Sequence, residues 1–108
     1  MKIESRVEGG TLVVVPGVSR LDASVAVPFK EGMAQLLADN PRRVVIDVGK
    51  VSFVDSSGLG AMVALLKRIG PTGALVLADV QPAVAKLLAL TRLDRVFEIR
   101  KSVAEAVA

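Results

Sequence analysis

The stretch Val54-Asp55-Ser56-Ser57-Gly58-Leu59-Gly60 decides the reading of the chain. An apolar run, Val44-Val45-Ile46, lies upstream of it, and a helical pattern of Leu59, Met62, Val63 and Leu66 follows. Two adjacent hydroxyls therefore sit where a strand hands over to a helix. The first turn of a helix has backbone N–H groups without partners and carries partial positive charge. Such a place suits a phosphate, either bound or attached to a serine. It equally suits a plain N-cap, since Asp and Ser are both favoured there. Gly58 and Gly60 leave the turn bare, so that another protein can approach the backbone closely.

Upstream of this stretch, residues 2–8 alternate, with Ile3, Ser5 and Val7 on one face and Lys2, Glu4, Arg6 and Glu8 on the other. That is the period of a half-buried strand. Gly9-Gly10 signals a hairpin turn, and Thr11 to Val15 reads as a buried strand that pairs antiparallel with the first and ends at Pro16-Gly17. Val18 to Ala26 reads as a connecting loop. Its Arg20, Asp22 and Ser24 suit either a surface site or a solvated loop. A helix is expected from about Pro28, with Phe29, Met33, Leu36 and Leu37 at helical spacing, until Asn40-Pro41 stops it. Arg43 to Val48 is β-branched and reads as a buried strand.

Downstream, the helix opened by the motif should run from about Ser57 to Ile69 and end at Gly70-Pro71, with Lys67 and Arg68 complementing its dipole. Ala74 to Ala78 is a further strand, Pro82 opens a helix bearing Val84, Leu87 and Leu88, and Val96 to Ile99 is a last strand. Ser102 and Glu105 fit a capping box for a short terminal helix, close enough to the end to fray. A hairpin followed by alternating strands and helices implies a single α/β domain over residues 1–108, with a mixed, largely parallel sheet packed against helices. Sites in such sheets gather at the carboxyl ends of strands. The loop holding Asp22 and the turn holding Asp55 and Ser56 both lie there, which places Asp22 near Ser56.

Composition narrows the chemistry. The chain contains neither Cys nor His, so it has no thiol nucleophile, no Cys-based metal site and no imidazole base. No catalytic residue, metal or cofactor is expected. The formal charge is +3 and only 3% of residues are aromatic. The doublets Arg42-Arg43 and Lys67-Arg68 are too short for a nucleic-acid tract, and no aromatics interleave them for stacking on bases. No apolar run approaches the roughly 20 residues of a membrane span, and no signal peptide is legible. A cytoplasmic location is expected, with no nucleic-acid or membrane partner.

The segment Val51-Ser52-Phe53-Val54-Asp55-Ser56-Ser57-Gly58-Leu59-Gly60 resembles the signature of STAS-domain anti-sigma factor antagonists. The resemblance extends to Leu21-Asp22 and to Gln81-Pro82-Ala83-Val84 followed by Lys86-Leu87-Leu88. It implies a STAS fold and a small switch protein that is not an enzyme. In its unphosphorylated form such a protein binds an anti-sigma factor that is itself a serine kinase of the histidine-kinase-like ATPase fold, and so frees a sigma factor. The kinase phosphorylates the serine after the motif Asp, here Ser56, and a serine phosphatase restores it. The resemblance and the geometry together give a partner surface of Asp22, Asp55, Ser56, Ser57, Gly58, Leu59 and Met62. Leu59 and Met62 are also candidates for the core. STAS domains serve elsewhere as structural or regulatory subunits of transporters and stressosome-type scaffolds, in which Ser56 would be only a helix cap.

Overall fold

The computed structural model describes residues 1–108. A five-stranded sheet forms its centre, in the spatial order Ile3–Glu8, Thr11–Pro16, Arg43–Asp47, Ala74–Ala78 and Glu98–Arg100. β1 (Ile3–Glu8) and β2 (Thr11–Pro16) form the antiparallel hairpin, and Gly9 and Gly10 both take the positive φ that a two-residue turn demands. β4 (Arg43–Asp47), β6 (Ala74–Ala78) and β7 (Glu98–Arg100) add parallel to β2 and to one another. The mixed, largely parallel α/β architecture expected from the alternation is therefore present.

Both faces of this sheet are covered, which is why its central strands read as continuous apolar runs. Val14, Val44, Ile46, Leu75 and Leu77 point to one side. There they meet Phe29, Met33 and Leu37 of α1 (Ala26–Leu36) and its C-cap, Met62 and Leu65 of α2 (Ser56–Ile69), and Val84 and Leu88 of α3 (Pro82–Leu90). Val13, Val45 and Val76 are in register and point to the other side. They are covered by Ala106 of α4 (Val103–Val107), which is 0% exposed.

That short helix is docked, although it lies close enough to the terminus to fray. Ser102 Oγ accepts the Glu105 N–H at 3.1 Å, while Glu105 accepts from the Lys101 N–H at 3.3 Å. Arg43 donates from Nε and Nη2 to the Ala106 carbonyl at 3.2 and 2.8 Å, and from Nη2 to Glu98 at 3.2 Å.

Several boundaries differ from the sequence reading. Val7 is 71% exposed, because β1 is an edge strand lying beyond the helices, so little of it is buried. α1 starts at Ala26, two residues before Pro28, and the first turn accepts the proline because its N–H groups have no helical partner anyway. The last strand is Glu98–Arg100, after a 3-10 turn at Leu93–Arg95 that leaves Val96 exposed and buries Phe97. The supposed loop from Val18 to Ala26 contains a strand, β3 (Arg20–Leu21), which pairs parallel with β5 (Phe53–Val54) in a second, two-stranded sheet.

Candidate functional site

The small sheet builds the site. Its register sets Arg20 opposite Phe53 and Leu21 opposite Val54. The next residue on each strand is an aspartate, Asp22 on one and Asp55 on the other. Leu21 and Val54 are buried and anchor the pair to the core. The two loops are thus brought together as the strand-end argument predicted.

Asp55 joins them. It is the N-cap of α2, with Oδ1 accepting the Gly58 N–H at 2.9 Å, while Oδ2 accepts the Ala23 N–H of the other loop at 3.0 Å. Its own N–H donates to the Leu21 carbonyl at 3.3 Å. One carboxylate therefore caps the helix and latches the neighbouring loop. This assigns the cap to Asp55 and releases Ser56 from that role. Ser56 and Ser57 occupy the first two helical positions, and both are exposed. Of the four N–H groups that a helix start leaves over, those of Asp55 and Gly58 are paired as described. The N–H groups of Ser56 and Ser57 find no partner in the backbone or side chains.

Gly58 is bare for an internal reason. A Cβ there would lie 2.0 Å from the Leu21 carbonyl oxygen and 2.9 Å from its carbon. Its missing side chain admits the chain's own β3, and Gly58 itself is buried, so it is not a landing place for a partner. Gly60 is the open position, with nothing within 4 Å.

Met62 also leaves the partner surface. It is 2% exposed and belongs to the core. The buried face of α2 is Gly58, Ala61, Met62 and Leu65, while Leu59, Val63 and Leu66 are only partly buried beside it. The apolar spacing was right in period and wrong in phase, because Ala61 and the glycine face the sheet where close approach needs small residues. Leu59 keeps a share in both core and surface.

Asp22 is held in a tight local turn. Oδ1 accepts the Ser24 hydroxyl at 2.6 Å and the Ser24 N–H at 3.1 Å, and Oδ2 accepts from Arg20 Nε at 3.3 Å. The Ser24 hydroxyl chiefly, with its N–H and the Arg20 guanidinium, holds the carboxyl below its ordinary value, against a smaller opposing effect of burial. The Arg20 guanidinium lies 4.0 Å from the centroid of the Phe53 ring, a cation–π arrangement. Phe53 is 40% exposed, so the stacked pair forms an exposed rim of the small sheet. The sequence reading missed this rim, because Phe53 looked like an ordinary strand residue and the β3–β5 pairing was not foreseen.

Comparison with known proteins bears on the family and the fold. A STAS-domain containing protein of Pseudomonas aeruginosa is 32% identical over 81 residues, covering 74% of this chain and 79% of that protein. The anti-sigma-F factor antagonist RsfB of Mycobacterium tuberculosis is 26% identical, covering 81% of this chain and 71% of its own. The crystal structure of an anti-sigma factor antagonist from Mycobacterium paratuberculosis matches with a TM-score of 0.85 at 26% identity, covering 98% of this chain and 92% of that one. The family model for the STAS domain spans residues 2–106, and the chain belongs to that family.

Proposed function

We propose that this protein is an anti-sigma factor antagonist switched by phosphorylation of Ser56. Unphosphorylated, it binds an anti-sigma factor that is a serine kinase of the histidine-kinase-like ATPase fold, and the sigma factor is released. The kinase places a phosphate on Ser56 and a serine phosphatase removes it. The observation that carries this reading is the division of labour at α2. Asp55 does the capping, so the exposed Ser56 hydroxyl has no structural task, which argues against a scaffold or transporter subunit in which the serine only caps.

The partner surface comprises Asp22, Asp55, Ser56, Ser57 and the exposed part of Leu59. A phosphoserine adds about −1.5 to −2 charges at pH 7. Within the domain the helix start and the free Ser56 and Ser57 N–H groups favour that charge by about 0.3–1 kcal/mol. In a closed interface, beside Asp55 and Asp22, an unpaired dianion costs several kcal/mol. At about 1.4 kcal/mol per tenfold, binding falls by a hundredfold or more. The switch is local and electrostatic, and the fold stays intact. The protein itself performs no catalysis, so ATP alone leaves Ser56 unmodified.

The test uses the anti-sigma kinase encoded in the same genome. Affinity and melting temperature are compared for the wild type, Ser56→Ala, Ser56→Asp and the enzymatically phosphorylated protein. Ser56→Ala should bind constitutively and resist the kinase, while Ser56→Asp and the phosphoprotein should bind poorly and melt near the wild-type temperature. A phosphoprotein that binds as tightly as the unmodified one refutes the switch.

A further inference from the structure

Two basic doublets of the sequence, Arg42-Arg43 and Lys67-Arg68, send one arginine each to the same cavity. Arg42 precedes β4 and Arg68 lies in the last turn of α2. Both line a cavity of about 180 Å³, together with Asn40 and Thr72, and Leu37 and Ile69 supply its apolar walls. It lies at the end of α2 opposite Ser56. Twelve residues separate Ser56 from Arg68, roughly 18 Å along the axis.

Three features give this cavity a chemistry. No carboxylate lines it. Neither arginine is neutralised, since the ion pairs of the protein engage Lys2, Arg6, Arg20, Arg43 and Arg100. The Asn40 amide and the Thr72 hydroxyl add neutral polar groups that hydrogen-bond an oxyanion. The carboxyl ends of α1 and α2 lie close by and contribute opposing charge. At roughly half a unit each, they offset about one of the two guanidinium charges and leave about one positive charge in excess. The volume is below the roughly 300–1,000 Å³ of sites for drug-sized ligands, so the occupant is small.

We infer that this cavity binds a small phosphate, as the free ion or as the monoester of a small metabolite, held by Arg42 and Arg68 with Asn40 and Thr72. Guanidinium groups match phosphate oxygens in bidentate fashion, and the resulting bonds are charge-assisted. The site stands apart from Ser56 and from the proposed switch.

The experiment titrates inorganic phosphate into the ¹⁵N-labelled protein at constant ionic strength and follows amide shifts. Saturable shifts are expected at Asn40, Arg42, Thr72 and Gly73. Losing one charge-assisted contact should weaken the apparent affinity about tenfold in Arg42→Gln and in Arg68→Gln. Both positions are exposed, so the variants should fold, and an unchanged amide spectrum elsewhere verifies it. Arg92→Gln, an exposed arginine outside the cavity, should titrate like the wild type. Glycerol 3-phosphate in a parallel titration separates the two sources: tighter binding than phosphate assigns the ester, and equal binding the free ion. Shifts that grow linearly without saturating, or affinities unchanged in both cavity variants, overturn the proposal. Acetate binding as tightly as phosphate overturns the assignment to a tetrahedral anion.

Discussion

Replacing either glycine of the α2 start by alanine is the same chemical change, yet the two sites should respond with opposite signs. In an ordinary helical position, Gly→Ala gains up to about 1 kcal/mol, because glycine loses more backbone freedom on folding. Gly60 has nothing within 4 Å of its would-be Cβ, so Gly60→Ala should gain about 0.4–1 kcal/mol. At Gly58 the new carbon would stand 2.0 Å from the Leu21 carbonyl oxygen, against the 3.0 Å that real Cβ atoms essentially never breach. The obstacle is backbone, so α2 and β3 must separate by about 1 Å, the difference between those distances. Overpacking of this kind costs about 1–3 kcal/mol or more. A rigid backbone obstacle places the cost at the upper end, and the net loss after the propensity gain is about 2 kcal/mol. The same separation strains the Asp55 N–H bond to Leu21 and the latch to Ala23, so partner binding should weaken as well. Urea unfolding gives the readout. With a slope of about 1–3 kcal/mol per molar, the Gly58→Ala midpoint should fall by about 1 M while the Gly60→Ala midpoint rises slightly. If Gly58→Ala is as stable as the wild type, the close approach of β3 is wrong. If both variants are stabilised, helix propensity alone governs this turn.

Further outcomes follow from the polar contacts. Asp55→Asn keeps a capping oxygen but turns an amide toward the Ala23 N–H, so it should lose about 1 kcal/mol at this exposed bond, and Asp55→Ala, which also loses the cap, about 2 kcal/mol, both by urea midpoint. Arg43→Ala should cost about 1.5–3 kcal/mol and raise hydrogen exchange in α4, since it removes the donor to Ala106; exchange unchanged in α4 would show the docking to be apolar alone. The Asp22 carboxyl, titrated by NMR, should ionise below 3.8, its ordinary value, and move back toward it in Ser24→Ala. Because the folded value is the lower one, the contribution of Asp22 to stability is fully present above 3.8 and is lost as pH falls through the folded value. An Asp22 titration unaffected by Ser24→Ala would remove Ser24 as the cause.

The main sheet was legible because its central strands are buried on both faces and are therefore apolar throughout, as in Thr11–Val15 and Ala74–Ala78. The start of α2 was legible because an aspartate, two serines and glycines mark a helix entrance. β3 was not, since the two residues between Ser19 and Asp22 present no period, and Leu21 is the only apolar one of them. Its pairing depends on β5, far away in sequence, and long-range pairing leaves little local trace. Met62 illustrates a different limit. Helical spacing assigned it correctly to an apolar stripe, but the phase of α2 is set by Gly58, which must face the Leu21 carbonyl. That requirement turns Met62 inward and Leu59 toward the edge. The roles of Asp55 and Ser56 at the helix entrance were likewise open until the Gly58 N–H was seen to choose the aspartate.

The two-residue ladder of β3 and β5 has a consequence for how the protein breathes. The central strands of the five-stranded sheet are closed on both faces. The small sheet is a separate ladder, anchored to the core by Leu21 and Val54, with the Asp55 latch at its open end. Few hydrogen bonds must break to release it, and those at its rim face solvent, so its opening requires far less free energy than global unfolding. The proposed recognition face should therefore open more readily than the sheet beneath it. Amide exchange in Ser19–Ala23 and Ser52–Asp55 should accordingly be faster than in Val44–Ile46 and Leu75–Leu77.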